Sequence, residues 1–191
     1  MLVRRYDAGD RQAVIGLASR LTVGVAPWRD PAGIRAAVEA WVTEGVDRAD
    51  PATRPVFVAE IDGQVAGFVT AIERKHWTGE SDAYVSELVV AEGWARKGVG
   101  TALLGAAESW AAEAGYRRLT LSTGAANRTA RAFYAALGFE EEDITLSRPA
   151  PRPEQHEVGR PSPRLSPGIG TASEARADAD GPDRVSRRTD G

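Results

Sequence analysis

Cysteine is absent from the 191-residue chain, and histidine appears only at His76 and His156. Without cysteine there are no disulfides, no thiolate metal sites and no cysteine nucleophile. Two histidines make a histidine metal centre improbable, so no metal is expected. His76 also has no G-x-S-x-G nucleophile to pair with, which sets aside a hydrolase triad. Charge of one sign does not dominate either. The formal net charge of -3 offers no broad basic face for nucleic acid. No apolar run approaches the roughly 20 residues of a membrane span. The opening Met1-Leu2-Val3-Arg4-Arg5-Tyr6-Asp7 meets charge too early for a secretory core. A cytoplasmic protein is expected, as a monomer or homodimer, with neither membrane nor nucleic acid as partner.

Aromatic residues are missing from the last quarter. Every Trp, Tyr and Phe lies at or before Phe139, whereas Pro149, Pro151, Pro153, Pro161, Pro163 and Pro167 follow Arg148. Such a stretch cannot bury enough apolar surface to offset the entropy of ordering. The organisation expected is a folded domain over 1–147 and a disordered Pro/Arg/Asp-rich tail over 148–191.

What is present in the first 147 residues is periodic. Leu2–Tyr6 reads as a strand. "RQAVIGLASRL" sets Ala13, Val14, Leu17, Ala18 and Leu21 on one helical face. Asp30-Pro31 starts a second helix, with Ile34, Ala37, Val38, Trp41 and Val42 as its apolar stripe and Gly45 at its end. "PVFVAEIDGQVAGFVTAIERK" is a hairpin closed by Asp62-Gly63, and Gly67 marks a bulge or close packing in its second strand. "AYVSELVV" is a more apolar, central strand. A long helix follows, carrying Val99, Ala102, Leu103, Ala106 and Trp110, and Gly115 stops it. "RRLTLS", the short helix "NRTARAFYAALGF" and a last strand "ITLSR" complete the order. That order predicts an α/β fold: a mixed, mostly antiparallel sheet of six or seven strands with about four helices on its faces.

The glycines of "AEGWARKGVGTALL" (Ala91 to Leu104) need an explanation, because each costs a helix start about 1 kcal/mol relative to alanine. A helix N-terminus presents unpaired N–H groups and partial positive charge, and glycine lets an anion come close. Arg96 and Lys97 add full charge there, so a phosphate or pyrophosphate is the expected ligand. Val99 and Gly100 stand where a nucleoside-triphosphate loop needs Lys and Ser/Thr, and Leu103 replaces the third glycine of a dinucleotide fingerprint. Taken alone, the pair also fits a tight strand-to-helix turn with no ligand.

"VVAEGWARKGVGTALL" together with "NRTARAFYAALGFE" resembles the Gcn5-related N-acetyltransferases, whose paired motifs are Arg/Gln-x-x-Gly-x-Gly/Ala and a later segment with Asn, Tyr and a closing Gly-Phe. Ala95 stands where the leading Arg/Gln falls, with Arg96 one place later. The resemblance covers roughly residues 1–147 and is sharpest over 85–139. It implies an acyl-CoA N-acyltransferase fold and acetyl-CoA as acyl donor. It places the pyrophosphate on N–H groups from Arg96 through Lys97, Gly98, Val99 and Gly100 to Thr101. The pantetheine arm is placed along Leu88, Val89 and Val90, in a gap between "SELVV" and "RRLTLS", with a β-bulge near Val89–Val90. Tyr134 matches the family's general acid, although it could also pack beside Phe133. Asn127 matches a cofactor contact and is equally natural as a helix cap.

The reaction so implied is acetyl transfer to an amine of a small molecule or peptide, by direct attack in a ternary complex. Such an amine must lose a proton. Glu87 on the central strand is the leading base, with Asp82 and Glu80 behind it. The acceptor is expected between "TVGVAPWRDP" and "KHWTGESDAY", walled by Trp28 and Trp77, with Asp30 or Glu80 holding a cationic amine; Trp41 belongs rather to the core stripe. The alternative from another class is a non-catalytic acyl-CoA-binding sensor or scaffold on the same fold.

Overall fold

A computed structural model describes residues 1–150; most of the expected tail, 151–191, lies outside the described residues. Met1–Asp143 forms one compact unit. Its elements run β1 (Leu2–Arg5), α1 (Arg11–Gly16), α2 (Pro31–Asp47), β2 (Val56–Ile61), β3 (Gln64–Lys75), β4 (Ser81–Val90), α3 (Val99–Glu113), β5 (Leu119–Leu121) and α4 (Arg128–Ala136). The strands form one sheet in the order β1-β2-β3-β4-β5. The first three pairings are antiparallel and β4–β5 is parallel, as a strand–helix–strand crossover requires.

The mixed α/β architecture follows the pattern of the sequence, but the strand count does not. Five strands stand among the described residues, not six or seven. Residues 144–148, the expected last strand, have no regular structure, and Ile144 and Leu146 are exposed. A strand gains stability only through a ladder and a buried face, and this segment has neither. "RRLTLS" keeps three strand residues. The first helix also breaks earlier than its stripe suggests, passing at Leu17 into a 3-10 turn over Ala18–Thr22. Gly45 does not end α2, which runs on to Asp47.

Side-chain alternation in β4 sorts the two faces of the sheet. Ala83 and Val85 pack with α3 residues such as Leu103, Leu104 and Trp110, whereas Val89 packs with Val14, Val42 and Val46 of α1 and α2. All are odd-numbered, so a regular strand would put them on one face. The register explains the switch: Thr70 pairs with Glu87 but Ala71 pairs with Val85, leaving Ser86 as an extra residue. This β-bulge lies at Ser86, not at the expected Val89–Val90, which pair in register with Phe68 and Gly67. It turns Glu87 towards α2. Gly67 is fixed by close approach, because a Cβ there would sit 2.5 Å from the Val89 carbonyl oxygen.

Turn chemistry accounts for the rest of the frame. Asp62 and Gly63 adopt φ of 51° and 73° in the β2–β3 turn, the primed geometry that matches strand twist. Helices α3 and α4 end in Schellman motifs at Gly115 and Gly138. Tyr116 N–H donates to Ala111 C=O, and Phe139 N–H donates to Tyr134 C=O.

Candidate active site

Strands β4 and β5 pair only over Ala83–Val85 and Leu119–Leu121, while β4 continues to Val90. Beyond Val85 the two strands part. A cavity of about 180 Å³ fills the split, lined by Ser86 and Leu88 of β4, Ser122 and Gly124 after β5, and Asn127 and Tyr134 of α4. Arg20, Leu21 and Val23–Val25 close it from the segment before α2. Two chain segments cross there at the closest approach glycine allows. A Cβ on Gly124 would lie 2.3 Å from the Gly24 carbonyl oxygen, and one on Gly24 would lie 2.3 Å from Asn127 Cβ.

Past Val90 the chain turns through Glu92–Trp94 and enters α3. Arg96 holds φ of 61° and Gly98 φ of 80°, so Gly98 caps the helix in the left-handed region, with no side-chain cap. The first helical bond runs from Ala102 N–H to Gly98 C=O. The N–H groups of Arg96, Lys97, Gly98, Val99, Gly100 and Thr101 have no acceptor among the described residues. A Cβ on Gly98 would meet nothing within 4 Å, so the approach to these N–H groups is open. Gly100 serves a different end: a Cβ there would lie 3.2 Å from Phe133 Cζ, so α4 packs directly on this turn. Lys97 Nζ lies 4.6 Å from the centre of the Trp94 ring. Six N–H donors without acceptors at a helix N-terminus, beside two cations, fit a diphosphate.

Tyr134 reaches the cleft while packing against Phe133 and Phe139, at ring separations of 5.3 and 5.7 Å. Burial pushes its phenol above the usual range, so it carries its proton throughout ordinary pH. Asn127 caps α4, its Oδ1 accepting from Ala130 N–H at 3.1 Å, and its Nδ2 donates to Val23 C=O at 3.4 Å. The cap role is thus realised, and the same amide ties α4 to the segment that closes the cleft. Leu88 lines the cleft, Val89 is buried on the α1/α2 face, and Val90 packs against the α3-side core.

Glu87 lies on the other side of the sheet. It is 9% exposed. Burial pushes its carboxyl above the ordinary range, opposed by the hydroxyl of Thr70, which donates to Oε2; nearby Glu44 adds to the rise. Thr70 Oγ1 also accepts the Glu87 N–H at 3.0 Å. Glu87 helps line a cavity of about 130 Å³ with Trp41, Glu44, Gly45, Arg54 and Thr70. Ser86 lines both cavities, so each of them reaches the bulge.

The residues expected to hold the acceptor are not brought together. Trp28 is 69% and Trp77 82% exposed, and neither lines either cavity. Asp30 is used as the α2 cap, accepting from Gly33 N–H at 2.6 Å. Glu80 accepts from Thr78 Oγ1 in the β3–β4 turn. Trp41, read from its stripe as core, is instead 56% exposed and walls the pocket of Glu87. Ser86, Thr70, Glu44 and Arg54 went unsingled in the sequence. A signal existed for the first: Ser86-Glu87 puts two polar residues in succession inside an apolar strand, which breaks alternation where a bulge belongs. Among the described residues no group of three or more His, Asp or Glu could hold a metal, and no helix is long and apolar enough to cross a membrane.

These features define a class of fold: a mixed sheet split between two parallel strands, with a glycine-capped helix rising from the end of one of them. A family model for the acetyltransferase (GNAT) family matches residues 22–139, and the chain belongs to that family. A curated relative, an uncharacterized N-acetyltransferase of Methanocaldococcus jannaschii, is 34% identical over 92 residues, which are 46% of this chain and 40% of the relative. The match therefore spans well under half of that relative's length. Among solved structures, an aminoglycoside 6′-N-acetyltransferase from Acinetobacter haemolyticus is 18% identical with a TM-score of 0.61, covering 78% of this chain and 98% of that one. The aminoglycoside N-acetyltransferase AAC(6')-Iy, solved with CoA, is 24% identical with a TM-score of 0.60, covering 78% and 93%. At these identities the likeness is one of fold.

Proposed function

We propose that this chain transfers an acetyl group from acetyl-CoA to a primary amine. One observation carries the reading: the β4–β5 split opens beside Tyr134 and leads, along β4, to six N–H groups without acceptors at the start of α3. When bound, acetyl-CoA supplies an acetyl thioester activated towards nitrogen. The N–H groups of Arg96 to Thr101, with the Arg96 and Lys97 side chains, hold its diphosphate. The unpaired edge of β4 from Ser86 to Val90 takes its extended arm as an added strand would. Glu87, directly or through a water, accepts the proton that an ammonium must lose before attack. Its raised pKa makes it a better proton acceptor than an exposed carboxylate. The C–N bond forms as the C–S bond breaks, and the Tyr134 hydroxyl gives its proton to the departing sulfur, whose thiol pKa near 8.5 lies below that of the phenol; the nitrogen then loses its second proton to solvent, from which the Tyr134 phenolate recovers its own. No enzyme nucleophile is needed, in keeping with the absence of cysteine.

Calorimetry with acetyl-CoA and thiol release across an amine panel test this function. Binding at micromolar to millimolar concentration with thiol release is expected. Binding without release for any amine would make the chain an acyl-CoA-binding module instead. Tyr134→Phe is expected to lower kcat by about 10²-fold, the scale of general acid catalysis, with little change in acetyl-CoA affinity. An unchanged kcat removes Tyr134 from the acid role.

A further inference from the structure

We infer that the cavity on the α2 face is the acceptor subsite, and that it takes a primary amine bearing a carboxylate. This rests on the acetyl-transfer reading above and names its substrate class.

The position of the cavity comes first. It shares Ser86, the bulge residue, with the cavity of the β4–β5 split. Its floor is Glu87, more than nine-tenths buried. The carboxylate's Oε2 is held by Thr70, whereas its Oε1 has no hydrogen-bond partner among the described residues and keeps accessible surface. A buried carboxylate with one committed and one uncommitted oxygen presents a single acceptor in low dielectric, which suits an ammonium. Trp41 supplies an apolar wall, and the alkyl stem of an amine can lie against it.

Charge then selects the class. Two carboxylates and one guanidinium line the cavity: Glu87, Glu44 and Arg54. Glu44 is already paired with Arg48 at 2.6 Å. Arg54 has no carboxylate within ion-pair distance among the described residues; the neighbouring Asp50 spends its Oδ1 on Ala52 and Thr53. Of the charged residues that line the cavity, Glu87 and Arg54 are left without an ionic partner among the described residues. A simple polycation satisfies the first and is repelled by the second. A zwitterion satisfies both, with its ammonium at Glu87 and its carboxylate in the fork of Arg54.

The test is acetylation, followed by thiol release, of three series matched in length: ω-amino acids and α-amino acids, alkylamines, and diamines. The expected result is a kcat/KM about tenfold or more higher for the best amino acid than for the alkylamine or diamine of equal length, the scale of one charged hydrogen bond. Arg54→Gln should bring that ratio close to one, chiefly through KM, and Arg54→Lys should recover part of it. A wild-type preference for diamines or alkylamines overturns the proposal, as does a ratio unmoved by Arg54→Gln. Thiol release with amines, but without this pattern, sinks the subsite and leaves acetyl transfer standing. Failure to bind acetyl-CoA in calorimetry removes both.

Discussion

Glu87 and Thr70 illustrate how one pair of side chains ties burial to titration. The folded carboxyl titrates above its unfolded value because burial disfavours the anion. The folded state therefore binds more protons than the unfolded chain around that pH. Its stability contribution is present below the unfolded pKa and is lost as pH rises through the folded one. Glu87→Gln, which removes the titration, is expected to raise Tm at pH 8 relative to wild type, with the advantage vanishing near pH 4; thermal melts across that range check it. Equal melting curves at pH 8 would mean the burial is not felt. Thr70 works in the opposite direction, since its donated hydrogen bond favours the anion. Thr70→Val should shift the acid limb of the kcat/KM profile to higher pH, and Thr70→Ser should hold it near wild type. Glu87 and Tyr134 could be singled out as candidates from the sequence because each sits in a motif or on a central strand. Thr70 and Arg54 could not, since Thr70 matters through a partner on the next strand, 17 residues away, and Arg54 through the cavity that the fold builds around it.

Glycines show the same contrast for whole elements. The hairpin at Asp62-Gly63 and the helix stop at Gly115 were readable because a turn type or a left-handed cap is a local requirement. Gly45 misled for the same reason: its place is within α2, where a Cβ would meet Thr70 and Glu87 at ordinary contact distance. The expected sixth strand failed because alternation marks what could pair, whereas pairing needs a neighbour. The three glycines that shape the site have three different reasons, and substitution separates them. Gly67→Ala puts a methyl 2.5 Å from a backbone oxygen, which cannot move without breaking the β3–β4 ladder, and should cost more than about 2 kcal/mol. Gly98→Ala meets open space and should cost about 1–2 kcal/mol, from the left-handed backbone alone. Gly100→Ala presses on the tip of a phenyl ring that can tilt, and should cost least if Phe133 yields. Denaturant midpoints rank the three; Gly98→Ala as the most damaging would contradict this order.

For the molecule as a whole, the cleft depends on two distant parts of the chain meeting. The segment around Gly24 precedes α2, and the segment around Gly124 follows β5, a hundred residues later. Their backbones touch so closely that neither tolerates a Cβ, and the Asn127 side chain bridges them through Val23. The sheet does not supply this closure, because β4 and β5 have already parted at Val85. The crossing therefore sets the width of the split independently of the ladder that supports it. Gly124→Val wedges the crossing open without touching Tyr134, Glu87 or the start of α3. Two consequences follow from that geometry. Stability should fall by about 2–4 kcal/mol, the cost of overpacking where only backbone can give way. Affinity for acetyl-CoA should fall as well, because the walls that would hold its arm no longer converge. The amino-acid over alkylamine preference should persist, since Arg54 and Glu87 lie on the far side of the bulge. Calorimetric Kd with the matched acceptor series distinguishes these effects. An unchanged acetyl-CoA Kd would show that the split is held open or shut by the sheet, and that the glycine crossing is only a packing contact.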